Sequence, residues 1–138
     1  MIIDDAMLRR LWLGVAWFGV GLIIFLSLTP SLPDIDLGKF SDKYEHIAAY
    51  AVLMLWFCQI YLSTAQRRWI ALLLVVLGVT LEFLQRATGY RAFEVADMVA
   101  GASGVCLGWL LAPPRLPNWL ALAQSLLSRR RGGDGRSR

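Results

Sequence analysis

Charge is scarce in this chain: only 17% of its 138 residues are Asp, Glu, Lys or Arg, while 57% are hydrophobic. A soluble domain carries about 25% charged and 45–50% apolar residues. So apolar a chain is not intrinsically disordered in the main. Cysteine is scarce as well. The two present, Cys58 and Cys106, lie inside apolar runs, which excludes a disulfide scaffold and suits small packing residues. Histidine occurs once, at His46, and no Cys/His zinc spacing exists. There is no Gly-rich phosphate loop and no internal repeat, and the length suits a single domain.

What is abundant is uninterrupted apolar sequence. Residues 11–28, 47–66 and 98–114 carry no charge, and residues 69–81 run uncharged as far as Glu82. A membrane-spanning helix needs about 17–25 mostly apolar residues. The third segment reaches that length only if Glu82 and Gln85 lie inside its helix. The pattern predicts an all-α fold: an integral membrane four-helix antiparallel bundle with helices over about 9–28, 43–65, 68–86 and 95–112. Residues 1–114 form that domain, and residues 115–138 a basic C-terminal interfacial amphipathic segment and tail. The first segment exceeds a signal-peptide core and has no A-x-A site after it, so it is expected to be retained. Residues 29–41 and 87–93 read as loops, and residues 66–68 as a tight turn.

The net charge of +4 is distributed by side rather than by patch. Four spans put Arg9, Arg10, Arg67, Arg68, Arg115, Arg129, Arg130, Arg131, Arg136 and Arg138 on one side, and Lys39, Lys43, Arg86 and Arg91 on the other. Basic residues favour the cytoplasmic side, so both termini are expected in the cytoplasm of a bacterial cell, with the protein multi-pass in the cytoplasmic (inner) membrane. The basic tail then reads as an anchor on anionic lipid, not as a nucleic-acid site. Trp12, Tyr61, Trp69 and Trp109 fall near the same inner interface.

Ionisable residues beside a membrane span are costly and need a reason. Asp42, His46 and Tyr50, spaced i, i+4, i+8, share one helix face, with Lys43 beside them. His46 gains or loses a proton near neutral pH, and Asp42 would orient its ring. Glu82, Gln85 and Arg86 share a face of the third helix, where Arg86 is placed to pair with Glu82. Arg91 follows in the outer loop, suited to a two-pronged contact with an acid or phosphate. Asp97 opens the fourth helix, ahead of Gly101, Gly104 and Gly108. The glycine spacing reads as helix packing. The four-span topology gathers Asp42, Lys43, His46, Tyr50, Glu82, Gln85, Arg86, Arg91 and Asp97 at one end of the bundle as a ligand-binding set.

On these residues the sequence resembles the VanZ-like family of small bacterial membrane proteins, named for an accessory protein of teicoplanin resistance. The resemblance rests on Asp42-Lys43-x-x-His46-x-x-x-Tyr50, on Glu82-x-x-Gln85, on Arg91, and on Asp97-x6-Gly104-x3-Gly108, and it covers roughly residues 25–112. One departure stands out: the family often has Asn four residues after the aspartate, where this chain has Gly101. The resemblance implies a helical cell-envelope membrane protein related to antibiotic resistance, and it supplies no mechanism.

Three functions remain open. The outer pocket binds a polar headgroup, such as a lipid-linked cell-wall intermediate or the lipid tail of a glycopeptide. Lys43, Arg86 and Arg91 would meet phosphate, and Asp42 and Glu82 would accept from sugar or amide groups. Alternatively it is an enzyme, with His46, Asp42, Glu82 and Asp97 as acid/base groups or ligands of a divalent metal. No ligand-spacing motif supports the metal, so neither metal nor cofactor is expected, and the balance leans away from catalysis. Third, the charges form a polar clamp in a bundle that binds another membrane protein. Membrane lipids are expected partners throughout, and a homodimer through the glycine face is left open.

Overall fold

The computed structural model describes residues 4–29, 41–89 and 94–134; for Ser41, Asp42 and residues 130–134 it describes the backbone course alone. The described residues form five helices and no strand: α1 (Asp5–Leu28), α2 (Ser41–Ile60), α3 (Thr64–Thr88), α4 (Val95–Leu111) and α5 (Trp119–Asp134). The all-α expectation therefore holds. Local signals set the helix ends. Asp4 caps α1 by accepting a 2.6 Å hydrogen bond from the Met7 amide. Gly89 closes α3 in the left-handed conformation at φ 72°, and its amide donates to the Arg86 carbonyl. Asn118 caps α5 by accepting from the Ala121 amide.

Three boundaries differ from expectation, the first being that α2 ends at Ile60 rather than near residue 65. Helix α1 begins at Asp5 rather than near residue 9. Helix α3 begins at Thr64, so Gln66, Arg67 and Arg68 are its first turn and not a connecting turn. The reason is Ser63: its hydroxyl oxygen accepts from the Gln66 amide and its hydroxyl donates to the Gln66 side chain. Ser-x-x-Gln starts the helix at Thr64, four residues before the expected start at about residue 68.

Helix α2 is the centre of the fold. Tyr50, Leu53, Met54, Phe57, Cys58 and Ile60 are all buried and supply about half of the apolar core. Ala16 of α1, Leu74 of α3, Val105 of α4 and Leu120 of α5 pack into the same core. Helix α4 is its nearest neighbour. A Cβ on Gly104 would collide with the Ile47 carbonyl, and one on Gly108 with the Ala51 carbonyl. Positions 104 and 108 thus meet positions 47 and 51 in the same order, so α2 and α4 run parallel, backbone against backbone. The glycine stripe is occupied inside the chain by α2.

Helices α1 and α3 are long and apolar enough to cross a membrane by length and composition, at 24 and 25 residues. Little of either apolar stretch is buried. Trp17, Phe18, Leu22 and Phe25 of α1, and Trp69, Leu72, Leu73 and Val76 of α3, are exposed. Helix α4 is apolar but shorter, at 17 residues. Helix α2 opens on Ser41, Asp42, Lys43, Glu45 and His46, which dilute its apolar run. The most enclosed helix is therefore less uniformly apolar than its covering helices. Its neighbours shield it, so its own surface need not be hydrocarbon throughout.

One end of the fold is closed by polar contacts around Arg67, which is 9% exposed. Its guanidinium donates to the carbonyls of Cys58 (3.1 Å), Tyr61 (2.9 Å) and Pro113 (2.7 Å). These lie at the ends of α2 and α4, where carbonyls have no intrahelical partner. Gln59 accepts from the Trp119 amide at 2.8 Å, and its backbone carbonyl accepts from Asn118, which fixes the start of α5. Trp12 stacks on Trp56 at 4.3 Å between centroids, and the Trp56 indole donates to the Trp12 carbonyl. Cys58 is buried as expected, but Cys106 is exposed on α4 and packs nothing in the core.

Candidate functional site

The opposite end gathers the N-termini of α2 and α4 with the C-terminal turns of α1 and α3. Lys43, in the first turn of α2, reaches across to α4. Its ammonium lies 2.7 Å from the Glu94 carboxylate and 3.4 Å from Asp97 Oδ1. Two carboxylates thus lie against the one ammonium and favour its charged form. The ammonium therefore stays charged at neutral pH.

Glu82 is buried within the last two turns of α3. Its Oε1 accepts from the Glu94 backbone amide at 2.6 Å, directly at the N-cap of α4. Glu94 offers no side-chain cap to its own helix, and Glu82 supplies a carboxylate there from another helix. Gln85 turns elsewhere. It is buried, and its amide donates to the Ser27 carbonyl near the end of α1 at 2.8 Å. Lys43, Glu82 and Gln85 thus each join two helices.

Asp97 sits in the first turn of α4 with its side chain 9% exposed. Its Oδ1 is buried without a hydrogen bond, near the Lys43 charge. The Lys43 ammonium compensates its charge, so this oxygen is ion-paired although it accepts no hydrogen bond.

Tyr50 lies one turn deeper than His46 and is 3% exposed. Its ring fills the space that side chains would take at two glycines. A Cβ on Gly78 would come within 3.1 Å of its hydroxyl, and one on Gly101 within 3.3 Å of its ring. A side chain at position 101 would therefore crowd the Tyr50 ring. Tyr50 is accordingly a packing residue between α3 and α4.

The other expected members are placed less centrally. His46 is half-buried in the second turn of α2, and Arg86 is exposed on α3. Asp42 opens α2, but its side chain lies outside the described residues, and so does Arg91. Among the described residues no three His, Cys, Asp or Glu side chains come together to hold a metal ion.

Glu94 was missing from the expected set, although it is the hub: its side chain meets Lys43 and its amide meets Glu82. A signal was present, since Glu94 precedes Asp97 by three residues at a helix start, where acids favour the dipole. Arg67 was missed for want of any signal. As one of two adjacent arginines, it looks identical to its exposed neighbour Arg68. No family model, curated protein or solved structure matches the chain.

Proposed function

We propose that this chain is a multi-pass, VanZ-like protein of the bacterial cytoplasmic membrane that binds a polar lipid headgroup at its outer end. Helices α1 to α4 span the bilayer, both termini face the cytoplasm, and α5 lies in the inner interface. The exposed apolar faces of α1 and α3 support insertion, since in water such a surface would be an aggregation liability. The excess of arginine at the Arg67 end supports the orientation. The polar cluster then lies at the outer leaflet.

The observation that carries the binding reading is Asp97 Oδ1, a buried acceptor at the start of α4 that is ion-paired to Lys43 but accepts no hydrogen bond. It suits a ligand rich in hydroxyl or amide donors, such as the headgroup of a lipid-linked cell-wall intermediate or a lipidated glycopeptide. Arg91 would meet the accompanying phosphate or carboxylate. Native mass spectrometry in mild detergent tests this on the wild type beside Asp97→Asn. Donor-rich lipid retained by the wild type and lost from an equally stable variant is the expected result. Equal retention by both proteins would end the proposal.

A second reading is favoured by Lys43, Glu82 and Gln85, whose polar atoms are taken up in joining helices. Here the cluster is a clamp, and function lies in binding another membrane protein. Glu82→Gln then lowers thermal stability with no change in retained lipid.

A further inference from the structure

The end opposite the cluster carries a second surface. Helix α5 is pinned by Gln59 and by the buried Leu120, so only one side of it meets the bundle. Trp119, Leu122 and Leu126 on its other side are exposed at 41%, 53% and 54%. At 3.6 residues per turn these three fall within about 60° of arc, and Arg129 borders the stripe about 20° beyond Leu122. Arg9, Arg10, Arg68 and Arg115 are exposed at the same end of the fold. Arg115 is held toward the end of α4 by a 2.9 Å bond to the Leu110 carbonyl, and Arg9 stands 5.9 Å over the Tyr61 ring.

We infer that this end is a platform for anionic phospholipid, on which α5 presses its apolar stripe into the acyl boundary while the guanidiniums meet headgroup phosphates. The inference rests on the membrane reading above and adds a lipid class to it. Charge complementarity selects the occupant. One exposed guanidinium borders the apolar stripe and four more are exposed at the same end of the fold, a pairing that fits a phospholipid, with its phosphate and its chains, better than a free anion or a nucleic acid. The mode of attachment adds to the argument. Because Gln59 fixes α5 to α2, the stripe is a built feature of the fold and not a loose tail.

The test uses the full chain in nanodiscs of phosphatidylcholine with increasing phosphatidylglycerol, with bound-lipid exchange measured for the wild type and for the double variant Arg68→Gln/Arg129→Gln. One basic residue near an anionic surface is worth about a five-fold preference, so the double variant is expected to lose about 30-fold in selectivity for phosphatidylglycerol. Leu122→Ser/Leu126→Ser is expected to weaken binding of both lipids while keeping the preference. An unchanged preference in the arginine variant overturns the inference. So does equal protection by inorganic phosphate, or tighter binding of a short RNA than of phosphatidylglycerol. Resistance to alkaline extraction from native membranes is measured alongside. A chain that resists extraction yet shows no lipid preference defeats this inference alone, whereas a chain that is extracted defeats the membrane reading itself.

Discussion

Replacing Gly104 by Ala tests the contact between α2 and α4 most directly. The added methyl would collide with the Ile47 carbonyl, which is locked in a helix and cannot rotate aside. The helices must therefore part, at an overpacking cost of about 3 kcal/mol, the upper end of the usual range. Alanine also returns about 1 kcal/mol of helix propensity. The net loss is about 2 kcal/mol. Gly21→Ala in α1 is the matched control, because nothing lies within 4 Å of a Cβ there. It keeps the propensity gain without the collision and should be neutral or stabilising by up to about 1 kcal/mol. Gly108→Ala should resemble Gly104→Ala. The double variant should cost less than the sum, since helices already parted by one methyl have room for the other. Unfolding of the purified protein by anionic detergent, followed by tryptophan fluorescence, measures all four. If Gly104→Ala and Gly21→Ala shift the midpoint alike, the backbone contact inferred here is wrong.

Two further substitutions probe the ends of the fold. Arg67→Met should cost about 3 kcal/mol in the same titration, because three carbonyls lose a charged donor. Arg67→Lys should recover only a minor part, since a point charge cannot replace the planar fork; full recovery would show that charge alone matters. At the other end, Lys43→Met should lower the melting temperature by stranding the buried Asp97 carboxylate, and adding Asp97→Asn should restore much of the loss. Additive effects in that pair would mean the two residues are not coupled.

The legible part of this fold was its apolar spacing. It marked the four long helices, and it required Glu82 and Gln85 to lie inside the third, where both are now found buried. It also brought Lys43 together with Asp97, because topology alone puts the starts of α2 and α4 at one end. What it missed is three-dimensional in origin. Gln85 and Glu82 share a helix face, yet one bonds α1 and the other α4, a division that depends on how the neighbours are arranged around α3. Tyr50 looked like a site residue because it continued the Asp42–His46 face, but the glycines that receive its ring lie 28 and 51 positions further along the chain. The start of α3 was readable in Ser63 and Gln66, a polar signal overlooked beside the apolar run.

The pairing of α2 with α4 also imposes an order of events during synthesis. The most buried helix is made second, while the glycine-bearing helix that fits it arrives only after all of α3 has been made. Until Gly108 emerges from the ribosome, the Ile47–Ala51 face of α2 has no match, and Arg67 lacks the Pro113 carbonyl. A nascent chain stalled within α3 therefore holds its central helix without its partner.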